Sequence, residues 1–347
     1  MAAIDIDGLS KRFGQFQALS GISLTVAEGE FVTLLGPSGC GKTTLLKLIS
    51  GFLEPNDGTI SIGGKDVTRT PPEARDTALC FQSYALFPHL TVCENLEFGL
   101  RQKRLPADER KTRVGDVAEM LSLTAQLDKL PNQLSGGQQQ RVSLGRALAM
   151  RPGVILFDEP LSNLDAKLRD QVRIEIRRIT RDFGLTAIYV THDQAEALAM
   201  SDRVVVLNGG KVEQLDTPEA LYHSPRTPFV ADFIGGANLF DGIVRGQVAG
   251  DLWQLDTPAG TFLARNSGQA PNGKVTVGWR PEHAVIGTEG IPARVIHRAF
   301  QGHFTDLTLE ANGIPFRVQM QETDVREGDQ VHVAIAPERI LALEARA

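Results

Sequence analysis

Cysteine is scarce in this chain: its 347 residues hold three, Cys40, Cys80 and Cys93. Their spacing fits neither a disulfide framework nor a zinc site, so a reducing compartment, the cytoplasm, is the simplest setting. Aromatic residues are few as well, 6% of the chain with two Trp and three Tyr. Positive charge is not in excess: 36 Lys and Arg against 42 Asp and Glu give a formal net charge of -6. A mildly acidic chain has no general electrostatic pull toward nucleic acid. No apolar run reaches the roughly eighteen residues that cross a bilayer, so a role at a membrane calls for another protein. The segment Met1 to Asp7 has no basic region leading into an apolar stretch, and no secretory signal is expected. What is present is 42% apolar residues, enough for real cores, in a length that predicts two domains.

Glu30 to Leu35 is an apolar, β-forming run that ends at Gly36, and Thr43 to Ser50 reads as a helix stopped by Gly51. Ile4 to Asp7 and Leu24 to Val26 read as short strands, with turn-like residues from Lys11 to Gly14 between them. Asp108 to Leu130 is helical by charge pattern, and a Gly-rich segment after Pro131 opens another helix through Met150. Val154 to Phe157, Thr186 to Thr191 and Val204 to Leu207 are buried strands, and Ala166 to Phe183 is an amphipathic helix closed by Gly184. Strands alternating with helices predict an α/β core with a largely parallel sheet. After Phe233-Ile234-Gly235-Gly236 the pattern turns to short alternating stretches separated by Gly, Pro and Asn. This predicts a smaller all-β second domain, a small barrel.

Five motifs in fixed order carry the chemistry. Gly36, Pro37, Ser38, Gly39, Cys40, Gly41, Lys42 and Thr43 fit a phosphate loop at every fixed position, between a strand and a helix. The glycines let backbone N–H groups face phosphate oxygens, and the helix start adds partial positive charge. Lys42 reaches the β- and γ-phosphates, and the Thr43 hydroxyl is an Mg²⁺ ligand. Asp158 ends an apolar strand, the usual place for a carboxylate of an Mg²⁺ site. Glu159 beside it is placed to polarise or deprotonate an attacking water. His192, at another strand end, is placed to contact the γ-phosphate, although a lone His there is more often structural. Gln82 offers an amide to Mg²⁺ or water and is a weak signal alone. Ser135, Gly136, Gly137 and Gln138 precede a helix and suit an anion, or are an ordinary Ser-Gly helix entry.

With these residues in hand, residues 1 to about 235 resemble the nucleotide-binding domain of the ATP-binding cassette (ABC) family. The string Leu134-Ser135-Gly136-Gly137-Gln138, between a phosphate loop and the Asp158-Glu159 strand end, is highly specific to it. The resemblance implies a helical subdomain at about 84–150 and a phosphate loop extending to Thr44. It implies that Phe13 stacks on adenine, in place of the commoner tyrosine. It further implies that Gln82, Thr43 and Asp158 hold Mg²⁺, that Glu159 is the catalytic base, and that His192 is the switch histidine. Ser162-Asn163-Leu164-Asp165 match the loop coupling two sites, and Ser135 to Gln138 close over a partner's ATP. One chain carries one of each jaw, so two copies pair head to tail.

Ser83-Tyr84-Ala85-Leu86-Phe87-Pro88-His89 and Thr191-His192-Asp193-Gln194 resemble the ATPase subunits of bacterial importers that use binding proteins. The expected partners are two integral membrane permease subunits and, indirectly, a periplasmic or extracellular solute-binding protein. The place implied is the cytoplasmic face of the inner membrane, and overall likeness points to ferric iron or a polyamine. Gly278-Trp279-Arg280-Pro281-Glu282-His283 resembles an element of the OB-like regulatory domain appended to such subunits, over residues 236–347. That domain holds ten Lys and Arg against thirteen Asp and Glu, which speaks against nucleic acid. The alternative is a soluble ABC ATPase acting on ribosomes or DNA. Those usually carry two cassettes or long helical insertions, and this chain has neither.

Overall fold

The computed structural model describes residues 2–80, 85–162, 165–265 and 273–344. It divides into two compact units, Met1–Pro218 and Glu219–Ala347. In the first unit a six-stranded sheet runs in the order Lys211–Asp216, Arg203–Asn208, Phe31–Leu35, Thr186–Val190, Val154–Asp158, Thr77–Cys80. All its pairs are parallel except the first, closed by a turn at Gly209-Gly210. Phe31–Leu35 and Thr186–Val190 are buried at every position, as strands covered on both faces must be. Helix Lys42–Ile49 contributes Leu45, Leu46, Leu48 and Ile49 to one core cluster beside this sheet. Helices Val92–Gln102, Ala107–Met120 and Gly136–Ala149 build the helical part around Leu96, Leu121 and Leu123.

The N-terminal strands are longer than the sequence suggests. Ala2–Phe13 and Phe16–Ala27 form a hairpin closed at Gly14-Gln15, within a four-stranded antiparallel sheet that includes Asp57–Ile62. Its register shifts at four points, and each shift breaks the alternation by which a strand is recognised in sequence. The helix expected to run from Asp108 to Leu130 stops at Met120. Leu121 and Leu123 are both fully buried, and residues two apart cannot share a helix face. Ser122, at φ 54°, makes the break, and a single turn at Thr124–Gln126 follows.

The second unit opens with the short helices Pro218–His223 and Pro228–Phe233 and is built of β-strands from Asn238 on, as expected. Two five-stranded antiparallel sheets share one core, in which Trp279 packs against Phe240, Phe262 and Phe316 with ring centroids 5.0, 4.7 and 5.8 Å away. The strands Leu252–Thr257, Gly260–Arg265, Ala284–Gly287 and Leu341–Glu344 add to those read from the sequence.

The two compact units part at Pro218, and Arg280 holds residues of the segment that follows. Its guanidinium is buried and donates to the carbonyl oxygens of Ala231, at 2.6 Å, and of Ile234 and Tyr222. It also lies 4.4 Å from the Tyr222 ring centroid, and the Tyr222 hydroxyl meets Glu282. Burial lowers the Arg280 pKa, and the nearby Tyr222 and Glu282 oppose that. Residues 219–235 are thereby fastened to the β-sheets. Among the described residues no helix is long and apolar enough to cross a membrane.

Candidate functional site

Three neighbouring parallel strands assemble the site. Leu34 pairs with Val190, and Val190 with Asp158, so the strand ends lie side by side. The residues that follow, Gly36, His192 and Glu159, come off one edge of the sheet. Parallel α/β sheets bind ligands outside these carboxyl ends.

The loop after the first strand depends on glycine at defined points. A Cβ at Gly36 would lie 2.2 Å from the Leu207 carbonyl oxygen and 2.7 Å from Cys40 Sγ. Gly41 sits at φ 106°, and a Cβ there would meet the Leu19 side chain at 2.5 Å. Gly41 caps helix Lys42–Ile49, whose first turn has no acidic residue to compete for its N–H groups. Cys40 is buried, with its Sγ 3.8 Å from Lys42 Nζ. The Lys42 ammonium donates to the carbonyl oxygens of Gly36 at 2.6 Å and Pro37 at 3.0 Å. A lysine held by carbonyl oxygens can exchange them for charged phosphate oxygens, which bind an ammonium more strongly.

Opposite the loop stand the two acids. The Thr43 hydroxyl and the Lys47 ammonium both act to lower the Asp158 pKa. Burial, then the charge of Glu159, raise the Asp158 pKa despite these two. Thr43 and Asp158 are therefore paired hard oxygen donors in a place that disfavours uncompensated negative charge. A hard divalent cation fits such donors, with phosphate and water supplying its other ligands. Among the described residues no cluster of three or more His, Cys, Asp and Glu exists to hold a metal unaided.

Glu159 has φ 46°, unusual for a residue with a Cβ, and its N–H donates to the Val190 carbonyl at 3.1 Å. That bond fixes the main chain of Glu159 beside the histidine strand. Glu159 Oε2 lies 3.2 Å from Nδ1 of His192, which is largely exposed.

One cleft of about 600 Å³ gathers Ser38, Lys42, Thr43, Thr44, Glu159 and His192 with Phe13. That volume suits a small ligand such as a nucleotide. Phe13 and Phe16 face each other across the hairpin tip and remain 47% and 63% exposed. Phe16 lines the same cleft and was not singled out in the sequence. Its signal, an aromatic three residues after Phe13, carries meaning only once the hairpin register is known. A larger hollow of about 720 Å³, lined by Arg113, Arg151, Arg178 and Phe183 among others, holds none of the motif residues.

Ser135 caps helix Gly136–Ala149 through a capping box: its hydroxyl accepts from the Gln138 N–H at 3.4 Å, and Gln138 Oε1 accepts from the Ser135 N–H at 3.0 Å. Ser135 and Gly136 are exposed, and neither lines the Lys42 cleft. The next turn reaches the acid pair, where Gln140 Nε2 donates to the Pro160 carbonyl at 3.2 Å. Asp165 is exposed at the start of helix Ala166–Asp182, and the Ser162 hydroxyl donates to the Glu159 carbonyl at 3.0 Å. Gln82, Asn163 and Leu164 lie outside the described residues.

Comparison with known proteins agrees with this geometry. The profile of the ABC transporter family matches residues 19–162, and that of the TOBE domain matches residues 277–343. The chain is 42% identical to the spermidine/putrescine import ATP-binding protein PotA of Thermobifida fusca (strain YX), covering 98% of this chain and 93% of the relative. It is 42% identical to the sn-glycerol-3-phosphate import ATP-binding protein UgpC 1 of Rhizobium johnstonii (strain DSM 114642 / LMG 32736 / 3841), over 98% and 94%. It is 41% identical to the Fe(3+) ions import ATP-binding protein FbpC of Escherichia coli (strain K12), over 96% and 95%. Among solved structures, the dimeric post-hydrolysis state of the ATP-binding cassette MJ0796, bound to ADP and Pi, aligns with a TM-score of 0.54 at 32% identity. That alignment covers 62% of this chain and 98% of the other.

Proposed function

The chain belongs to the family of ATP-binding subunits of ABC import transporters, and from that premise we propose that it hydrolyses ATP to drive solute uptake through membrane permease subunits. The observation that carries this reading is the single cleft holding Lys42, Thr43, Glu159 and His192 while the exposed Ser135 of the same chain stays outside it. A nucleotide seated there presents its phosphates to the surface, where Ser135 to Gln138 of a second copy complete the enclosure. Two chains thus make two sites, related head to tail.

In each site Lys42 and the loop N–H groups bind the β- and γ-phosphates. Thr43 and Asp158, with Gln82 as the resemblance implies, would hold Mg²⁺, which would offset phosphate charge and the repulsion between Asp158 and Glu159. Glu159 accepts a proton from water as the water oxygen bonds to the γ-phosphorus and the bond to the ADP oxygen breaks. His192 orients Glu159 and contacts the leaving phosphate. ADP and phosphate then repel across the interface, and the dimer opens.

The three relatives above are named for three different solutes at nearly equal identity. The cleft chemistry is accordingly that of a common power unit, placed at the cytoplasmic face and docked to permeases that receive solute from a binding protein. A polyamine or ferric iron remains our reading of the cargo. Steady-state ATPase activity, measured with and without reconstituted permease, tests the proposal. Strong stimulation by permease is expected, and stimulation by ribosomes or DNA instead would overturn it.

Phe13 and Phe16 together cradle the adenine. Replacing either by Ala should weaken binding of a fluorescent ATP analogue about fivefold, a stacking contribution near 1 kcal/mol. A Phe16→Ala variant with unchanged affinity would remove Phe16 from the base contact.

A further inference from the structure

We infer that Glu196 is a positioning residue for hydrolysis, which fixes His192 against Glu159 and ties it to the helix that follows Asp165. The inference rests on the role given to His192 above. The Glu196 side chain is 5% exposed. A carboxylate so buried is tolerated only where its oxygens are well partnered. Its Oε2 accepts from the Thr191 hydroxyl at 2.7 Å and the Tyr189 hydroxyl at 3.0 Å.

These bonds close a ring around His192. The Thr191 oxygen, having donated its proton to Glu196, accepts from the Asp193 N–H at 3.0 Å. The Asp193 carboxylate accepts from the N–H groups of Ala195 and Glu196 at 2.8 and 3.1 Å. Both chain neighbours of His192 are thus pinned, and the imidazole reaches Glu159 from a fixed base. An exposed side chain on a free loop would spend most of its time elsewhere, and catalytic geometry is lost with displacements of about 1 Å.

Arg169 connects the ring to a neighbouring helix. Arg169 Nε lies 3.8 Å from Glu196 Oε1, and Arg169 Nη1 lies 3.9 Å from Asp193 Oδ2. The Arg169 N–H donates to the Asp165 carbonyl at 2.9 Å, one helical turn earlier. Glu196 is the point where that helix meets the histidine loop. A shift of the helix start on dimer closure is therefore transmitted to His192.

A double-mutant cycle tests this, with Glu196→Gln, His192→Ala and the pair compared for kcat and for affinity toward a fluorescent ATP analogue. Glu196→Gln should lower kcat at least tenfold and leave nucleotide affinity within about twofold, because the neutral amide oxygen holds the two hydroxyls less strongly and its NH2 group sets a donor against Arg169 where a carboxylate oxygen stood. In the His192→Ala background it should change kcat by no more than about twofold, since residues that act through one another are not additive. Additive losses with a slow His192→Ala variant would overturn the inference alone. A His192→Ala variant with wild-type turnover would overturn both the role of His192 and the inference. Wild-type kcat in Glu196→Gln would also overturn it. If Glu196→Gln does not fold, Thr191→Val, which deletes only the bridging hydroxyl, enters the same cycle with the same expectations.

Discussion

Replacing Glu159 with Gln should reduce ATP turnover by about a thousandfold while leaving ATP binding intact, the size expected when a general base is removed. The substitution keeps volume and hydrogen bonding but removes basicity. Its backbone is held at φ 46° by the bond to Val190, so the amide will occupy the place of the carboxylate. ATP then persists between two copies, and the dimer that normally opens after hydrolysis accumulates. Phosphate release and gel filtration with Mg²⁺ and ATP check the two halves separately. Residual turnover above a tenth of wild type would show that another group takes the proton. A chain that elutes only as monomer would contradict the paired site.

Lys42→Ala should weaken nucleotide binding by about a hundredfold, as removing one partner of a charge pair typically does. The structure adds a second cost. The Lys42 ammonium donates to the Gly36 and Pro37 carbonyls, so its loss leaves two loop oxygens without their donor. Lys42→Arg keeps the charge but brings a planar fork into a site shaped for a compact ammonium, and should recover little of the affinity. Titration with a fluorescent ATP analogue measures both variants. A loss below about fivefold in Lys42→Ala would mean that backbone N–H groups alone hold the phosphates.

The elements that frame the candidate site were legible in the sequence because they are local. The run Gly36 to Thr43 folds into a loop and a helix start that need few distant contacts. Ser135 reads as a candidate helix entry, and it caps helix Gly136–Ala149. What stayed hidden depends on residues far apart in the chain. The hairpin ending at Phe13 and Phe16 was masked by register shifts, so the second aromatic went unnoticed. The break at Ser122 follows from burial of Leu121 and Leu123, which only the packed helices reveal. Glu196 reads as an ordinary surface acid until Tyr189, Thr191 and Arg169 surround it. The anchoring role of Arg280 stayed hidden because it reaches back nearly fifty residues to backbone carbonyls that carry no sequence signal.

The Arg280 anchor sets where the β-unit can be cut free. Its acceptors are main-chain carbonyls, so what matters is whether residues 222–234 travel with the guanidinium. A fragment starting at 219 keeps all three carbonyls, whereas one starting at 236 leaves a buried guanidinium without them and should be the less stable of the two.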